Sequence, residues 1–153
     1  MGKYGVGKTS LIRQFIHQEF SDEYLTTIGV KIEKKVIELN GNPMSLIIWD
    51  IAGESSHRKI PASYKLGSQG IIYVFDLSRS STYEDLPLEM ADLQQLLPNV
   101  PIRLVGNKTD LLDEETLQGI QAKLPLGDIT YTSAKTGDNV EDLFHDLASA
   151  MVQ

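Results

Sequence analysis

Residues 2–9 read Gly2-Lys3-Tyr4-Gly5-Val6-Gly7-Lys8-Thr9, and this stretch decides how the rest of the chain is interpreted. It fits the pattern G-x-x-x-x-G-K-[ST], a loop between a strand and a helix that binds phosphate groups. Its glycines let backbone N–H groups approach an anion closely, because no β-carbon stands in the way. The Lys8 ammonium is expected beside the β- and γ-phosphates, and the Thr9 hydroxyl is expected to bind Mg²⁺.

The composition indicates an ordinary globular protein. The chain has 153 residues, of which 41% are hydrophobic and 23% charged, with a formal net charge of −7. We therefore expect a single domain over residues 1–153, with no nucleic acid as partner. The absence of cysteine excludes disulfides and lipid attachment through cysteine within this chain. No apolar run reaches membrane-spanning length, so we expect a cytoplasmic protein with no membrane anchor in this chain, which could associate with membranes only through regions or partners not in this chain.

The rest of the sequence alternates between strand and helix patterns after one hairpin. Strands are predicted at residues 31–39, 44–49 (buried), 70–76, 102–106 and 129–132. Helices are predicted at residues 9–18, from Ser80 or Ser81 to 97, from Asp113 or Glu114 to about 124, and at 140–151. This order predicts an α/β fold of the P-loop NTPase type. Its sheet would be mostly parallel and six-stranded, with one antiparallel edge strand and helices on both faces.

The position of the phosphate loop predicts a further feature. Such a loop normally follows a buried strand, but only Met1 precedes Gly2 in this sequence. We therefore expect that the first of the six strands is missing from the given sequence. Loss of a central strand leaves two neighbours with unpaired backbone groups. The chain is then expected to be unstable unless something fills that place.

A second motif follows the strand at 44–49, namely Asp50-Ile51-Ala52-Gly53. A carboxylate at the tip of that strand can hold a water molecule on Mg²⁺, and Gly53 lets a backbone N–H approach the γ-phosphate. By itself the motif is weak and more often marks an aspartate that ends a strand and a glycine that turns the chain. Its place after the phosphate loop and a hairpin favours the magnesium interpretation.

Two further motifs point to guanine as the base. In Asn107-Lys108-Thr109-Asp110, the carboxylate of Asp110 can accept two adjacent N–H donors, which guanine presents and adenine does not. The Asn107 amide is expected at the other edge of the base, and the Lys108 stem over its face. In Ser133-Ala134-Lys135, the Ala134 N–H is expected to meet guanine O6, while Ser133 holds Asp110 in place.

Together, the four motifs resemble a Ras-superfamily small GTPase, closest to the Rab branch, over residues 2–153. The resemblance implies a monomeric enzyme that binds GTP or GDP with Mg²⁺ and hydrolyses GTP. It implies that Thr27 ligates Mg²⁺ and senses the γ-phosphate, that Phe20 packs beside guanine and that Tyr24 closes over the phosphates. The catalytic residues would be Lys8, Thr27 and Glu54, and the metal ligands Thr9, Thr27 and Asp50. The nucleotide contacts would be Tyr4, Gly5, Val6, Gly7, Lys8, Thr9, Ser10, Phe20, Tyr24, Thr27, Gly53, Asn107, Lys108, Asp110, Ser133, Ala134 and Lys135.

The same resemblance implies that effectors, exchange factors and activating proteins contact residues 20–32 and 53–67. Trp49 and Tyr64 match two members of the aromatic triad that faces effectors in the Rab branch. The third position holds Ile32 instead of phenylalanine, which argues against Rab-type effector recognition.

Two departures from the family bear on hydrolysis. Glu54 stands where the family usually has the glutamine that orients the attacking water. A carboxylate can accept from that water but cannot donate to the γ-phosphate, and its charge opposes the phosphate charge. Tyr4 occupies a position usually held by a small residue, where a ring would crowd an arginine finger. We expect slow hydrolysis, although Glu54 can also be a different and competent catalytic solution.

The sequence thus leaves two functions open. The first is a guanine-nucleotide switch that GTP·Mg²⁺ orders around Thr27 and Gly53 and that hydrolysis releases. The alternative is a GTP-binding interaction module, or the GTPase domain of a larger protein, with little or no hydrolysis.

Overall fold

The computed structural model describes residues 1–23, 27, 29–54, 59–124 and 127–153. It contains the predicted alternation of strands and helices after a hairpin. The helices are α1 (Lys8–His17), α2 (Ala62–Lys65), α3 (Leu86–Leu96), α4 (Glu114–Lys123) and α5 (Val140–Met151). The strands are β1 (Val30–Leu39), β2 (Asn42–Ile51), β3 (Ile71–Asp76), β4 (Ile102–Asn107) and β5 (Ile129–Tyr131). None of the described helices has the length and apolar character needed to cross a bilayer.

The strands form two sheets. Strands β1 and β2 pair antiparallel through a tight turn in which Asn40 and Gly41 both have positive φ angles, 52° and 78°. Strands β3, β4 and β5 pair parallel in that order. The predicted parallel sheet and antiparallel edge strand are therefore present. The described residues form five strands, a number compatible with the expected six-stranded sheet without its first strand, and these are divided between a two-stranded and a three-stranded sheet.

Residues 1–3 connect the two sheets. Gly2 forms a parallel bridge with Val74 of β3, and Lys3 forms one with Glu54, just after β2. The backbone at Gly2 has a φ of 138°, and a Cβ there would lie 2.2 Å from the Val74 carbonyl oxygen. Only glycine can therefore bring the chain this close to β3. These short pairings place the start of the phosphate loop at the carboxyl ends of the strands.

Helices cover both faces of the parallel sheet, as predicted. Val74 packs with α1 and α5 on one face, where the rings of Phe15 and Phe144 stack with centroids 4.0 Å apart. Tyr73 and Phe75 point to the other face and pack with residues of α3. The alternation along β3 explains why this strand is apolar throughout, because both of its faces are buried.

Two elements differ from their predicted form. The helix expected from Ser80 or Ser81 begins only at Leu86, after a separate 3₁₀ turn at Ser80–Thr82. The Thr82 hydroxyl fixes that turn by accepting from the Asp76 N–H and donating to the Arg79 carbonyl. Strand β2 was expected to be buried, but Trp49 is 49% exposed whereas Leu46 is 8% exposed. Side-chain exposure alternates along β2 because only one face of the hairpin packs on the core.

Candidate functional site

A cavity of about 250 Å³ lies at the carboxyl ends of the parallel strands, in front of the first turn of α1. Most residues predicted to bind the nucleotide line this cavity. They are Tyr4, Gly5, Gly7, Lys8, Thr9, Ser10, Phe20, Thr27, Gly53, Asn107, Lys108, Asp110, Ala134 and Lys135. Val6 and Ser133 are buried and are not among the residues that line the cavity. The predicted contact Tyr24 lies outside the described residues.

Side chains hold the phosphate loop by its carbonyl groups, and every carbonyl from Gly2 to Val6 accepts a hydrogen bond from one of them. The donor–acceptor pairs are Lys8 Nζ to Gly2 O (3.1 Å) and Lys3 O (2.7 Å), Arg79 Nη2 to Tyr4 O (2.9 Å), Lys108 Nζ to Gly5 O (2.8 Å) and Asn107 Nδ2 to Val6 O (3.0 Å). The residue before α1 is Gly7, which has no side chain to cap the helix. The first N–H groups of α1 are therefore suited to bind an anion.

Two glycines in the motifs are required by packing. A Cβ on Gly7 would lie 2.3 Å from Nδ2 of Asn107, and φ at Gly7 is 101°. A Cβ on Gly53 would lie 2.6 Å from the Cα of Tyr4. The segment after β2 thus packs directly against the phosphate loop. This contact brings the second motif to the phosphate end of the cavity.

The three predicted metal ligands meet at this end of the cavity. The Thr9 hydroxyl lies 2.6 Å from the Thr27 hydroxyl and donates to Asp50 Oδ2 at 2.7 Å. Asp50 is 3% exposed, and its Oδ1 has no hydrogen-bond partner within the described part of the chain. Two hydroxyls and a carboxylate are oxygen donors of the kind that Mg²⁺ prefers. The residues therefore fit the ion, which would supply positive charge next to the β- and γ-phosphates when bound.

Burial sets the electrostatics around these ligands. It lowers the pKa of Lys8 to about 8, although the charges of Asp50 and Glu54 oppose the change. Burial also raises the pKa of Asp50, against the effect of the hydrogen bond from Thr9 and the charge of Lys8. Both groups thus lose solvation of their charged forms. A phosphate beside Lys8 and a cation beside Asp50 would each restore the charged form.

The expected link between Ser133 and Asp110 is present at the opposite end of the cavity. The Ser133 hydroxyl donates to Asp110 Oδ1 at 2.7 Å and accepts from the Thr136 N–H at 3.1 Å. Ser133 is 1% exposed, so its position is fixed by the fold. A fixed hydroxyl on one oxygen orients the whole carboxylate.

The surroundings of Asn107 differ from the expectation that its amide reaches the base. Its Nδ2 donates to the Val6 carbonyl, while its Oδ1 accepts from the Thr132 hydroxyl at 3.0 Å and from the Ala134 N–H at 3.2 Å. The Ala134 N–H, expected to meet guanine O6, therefore has a partner within the protein. Asn107 joins the phosphate loop to the segment after β5, and it is 1% exposed.

Sequence reasoning missed Asp76 and Arg79. Asp76 ends β3 with 0% exposure, and its Oδ2 lies 2.8 Å from Lys108 Nζ and 2.9 Å from Arg79 Nε. Burial alone would raise the pKa of Asp76, but hydrogen bonds from Lys108, Ser78 and Arg79 hold it below its usual value. Asp76 thus positions two of the cations that hold the phosphate loop. The sequence feature that could have identified Asp76 is an acidic residue at the end of a buried strand, the same feature that identified Asp50.

The side chain of Glu54 is held by the segment that leads into α2. Its Oε1 accepts from the Ile60 N–H at 3.2 Å and lies 3.8 Å from Lys65 Nζ. Glu54 is not among the residues that line the cavity, whereas Tyr4 lines it and is 53% exposed. The two residues expected to affect hydrolysis therefore occupy different environments.

The fold and the site together define a P-loop nucleotide-binding protein. The sequence model of the Ras protein family matches residues 1–153 of this chain. The human Ras-related protein Rab-7b is 38% identical over 156 residues, which cover 97% of this chain and 78% of that relative. The human Ras-related protein Rab-30 is 38% identical over 157 residues, which cover 99% of this chain and 77% of that relative. The Ras-related protein Rab-1D of Dictyostelium discoideum is 36% identical over 156 residues, which cover 97% of this chain and 75% of that relative. The chain therefore belongs to the Ras family and is a Rab-like small GTPase.

Proposed function

We propose that residues 1–153 act as one G domain, a monomeric cytoplasmic switch that binds GTP or GDP with Mg²⁺ and hydrolyses GTP slowly. The observation that carries the proposal is the arrangement of two groups at opposite ends of one cavity. Thr9, Thr27 and Asp50 supply oxygen ligands at one end, and Asp110 supplies an oriented carboxylate at the other. A guanosine nucleotide has the matching chemistry, with phosphates at one end and adjacent N–H donors at the other.

In this proposal the chain itself orients the phosphates. Lys8 provides a positive charge beside them, and the uncapped N-terminus of α1 provides N–H donors. Thr27 comes from the segment before β1 and Gly53 from the segment after β2, so both can respond to the γ-phosphate. Loss of that phosphate removes the contacts that hold the two segments, which is how the state of the nucleotide would reach the surface.

The surface that would report this state is an exposed apolar patch. Ile32 of β1 faces Trp49 of β2 in the hairpin register, and the rings of Trp49 and Tyr64 lie 6.1 Å apart. Their exposures are 57% for Ile32, 49% for Trp49 and 40% for Tyr64. Contiguous exposed apolar patches of this kind mark protein-binding surfaces. We propose that effectors, exchange factors and activating proteins bind here through residues 20–32 and 53–67. The process would be vesicle trafficking, as the Rab relatives suggest. Within these two ranges, residues 24–26, 28 and 55–58 lie outside the described residues.

We expect wild-type hydrolysis at or below about 10⁻⁴ s⁻¹, and we expect Glu54→Gln to raise it about tenfold. A glutamine keeps an acceptor for the Ile60 N–H, removes a negative charge near the γ-phosphate and adds an N–H donor. Single-turnover hydrolysis of GTP-loaded protein measures the rate. Glu38→Gln, an exposed change on the hairpin, is the matched control.

Tyr4→Ala separates the contribution of the ring, and the double variant with Glu54→Gln is expected to exceed either single variant. A wild-type rate a hundredfold above the expected value would show that Glu54 and Tyr4 do not impair hydrolysis.

Nucleotide analysis of the purified protein after incubation with GTP tests the switch against its alternative. Accumulation of GDP supports a cycling enzyme. Retention of GTP supports a GTP-binding interaction module, or a GTPase domain of a larger protein, with little or no turnover.

A further inference from the structure

Arg79 is a cation that lies outside the four sequence motifs and nevertheless holds the phosphate loop. Its Nη2 donates to the Tyr4 carbonyl at 2.9 Å, and its Nε donates to Asp76 Oδ2 at 2.9 Å. The next two carbonyls along the loop accept from side chains of the motif at residues 107–110. The function proposed above gives Arg79 no part in binding the nucleotide.

The backbone and the side chain of Arg79 are both fixed. Its N–H donates to the Asp76 carbonyl at 3.0 Å, and its own carbonyl accepts from the Thr82 hydroxyl at 2.7 Å. Asp76 is buried, and its Oδ1 accepts from the N–H of Ser78 at 2.9 Å and from the hydroxyl of Ser78 at 2.6 Å. A guanidinium presents its N–H donors in a rigid planar fork, so the bond to Asp76 also fixes the direction of Nη2.

The peptide group between Tyr4 and Gly5 carries this contact to the cavity. The peptide bond is trans and planar, so its C=O and N–H bonds point in opposite directions. The Tyr4 carbonyl points to Arg79, and the Gly5 N–H therefore points away from it. Gly5 lines the nucleotide cavity, whereas Arg79 is not among the described residues that line it. A cation on the carbonyl side polarises the peptide group and makes the N–H a stronger donor to an anion.

We propose that Arg79 is a positioning residue for phosphate recognition, which acts through the Tyr4 carbonyl and directs the Gly5 N–H at the β-phosphate of a bound guanine nucleotide. The inference rests on the proposed nucleotide function, which identifies the anion. The backbone of such a loop surrounds the β- and γ-phosphates. The contribution of Arg79 is therefore made to GDP and GTP and is absent from GMP, which has only the α-phosphate.

A purely structural role of Arg79 would give a different pattern. Arg79 and Lys108 both lie within 2.9 Å of Asp76 Oδ2, so the loss of Arg79 would disturb the end of β3 whatever ligand is present. Lys108 lies beside Asp110 in the motif that is expected to bind the base. A general disturbance of this kind would weaken GMP and GDP alike. The ratio of the GDP and GMP affinities therefore separates positioning from stability.

The test measures the affinities of the purified protein for GDP and GMP, by competition with labelled GDP at constant Mg²⁺. Arg79→Met approximately keeps the length of the side chain and removes its charge and its N–H donors. We expect the GDP affinity to fall about tenfold while the GMP affinity changes little, so that their ratio also falls about tenfold. In ³¹P NMR of bound GDP, the β-phosphate resonance is expected to move and the α-phosphate resonance to stay.

Arg103→Met is the matched control. The Nε of Arg103 also pairs with an aspartate, Asp146, but Arg103 lies near the amino end of β4, away from the cavity. The control should leave both affinities and both resonances unchanged. Where Arg79→Met does not yield folded protein, Arg79→Lys keeps a cation beside Asp76. It is expected to lower the ratio about threefold, because one ammonium replaces the fork that reaches two partners.

An equal loss of GDP and GMP affinity would overturn the proposal, because it would assign Arg79 a structural role only. An unchanged GDP affinity in Arg79→Met would overturn it as well. Failure of the wild type to bind GDP at all is a separate result, which would contradict the proposed nucleotide function and with it this inference.

Discussion

The Asp110→Asn variant is expected to lose more than about a hundredfold in affinity for GTP and GDP, while it gains affinity for xanthosine nucleotides. The carboxylate of Asp110 can accept from two adjacent N–H groups of guanine, whereas an amide offers one acceptor and one donor group. The donor matches the extra carbonyl of xanthine. Ser133 holds the side chain at 2.7 Å, so the substituted amide should keep the same position. Competition between labelled GDP and unlabelled nucleotides measures the change.

Two controls make this experiment specific. Asp92→Asn makes the same substitution on the exposed side of α3 and should leave both affinities unchanged. Ser133→Ala removes only the orienting hydroxyl and should cost about tenfold, without a gain for xanthosine nucleotides. If Asp110→Asn keeps its preference for guanine, the assignment of Asp110 as the base-reading residue is wrong.

The Thr9→Ala variant is expected to reduce the Mg²⁺ affinity of the nucleotide complex by about 10–100-fold. The Thr9 hydroxyl bonds to both Thr27 and Asp50, so its removal takes away one ligand and the contact that positions the other two. The measurement is the dissociation rate of labelled GDP as a function of free Mg²⁺. In the wild type, chelation of Mg²⁺ should accelerate dissociation strongly, and in the variant it should have little further effect.

Thr116→Ala is the matched control, because it makes the same substitution at an exposed position of α4. It should keep the magnesium dependence of the wild type. A Thr9→Ala protein with an unchanged response to Mg²⁺ would show that the ion is bound elsewhere or is not required.

The residues that could be predicted from sequence are those fixed by local geometry. Thr9 lies in the first turn of α1, and Asp50 lies near the end of β2. Asp110 follows β4, and Ser133 follows β5. Strand ends of an α/β fold meet at one edge, so the motifs had to converge there. This reasoning needed only the order of elements and did not depend on side-chain packing.

The features that could not be predicted depend on contacts between distant parts of the chain. Asn107 bonds to Val6, which is 101 positions away, and Arg79 bonds to Tyr4, which is 75 positions away. No periodicity or motif encodes such pairs. The exposed face of β2 was missed for a related reason, since Ile47 and Trp49 are apolar but the hairpin packs only one face on the core.

The central claim is that this chain binds guanine nucleotides with Mg²⁺ at the cavity between the phosphate loop and Asp110. The most direct test is the affinity of the purified, nucleotide-free protein for GTP, GDP and ATP, each with and without Mg²⁺. We predict tight binding of GTP and GDP that weakens on removal of Mg²⁺, and binding of ATP weaker by about 10⁴-fold, because adenine would leave the Asp110 carboxylate without its N–H donors. Equal affinities for GTP and ATP, or affinities independent of Mg²⁺, would contradict the account.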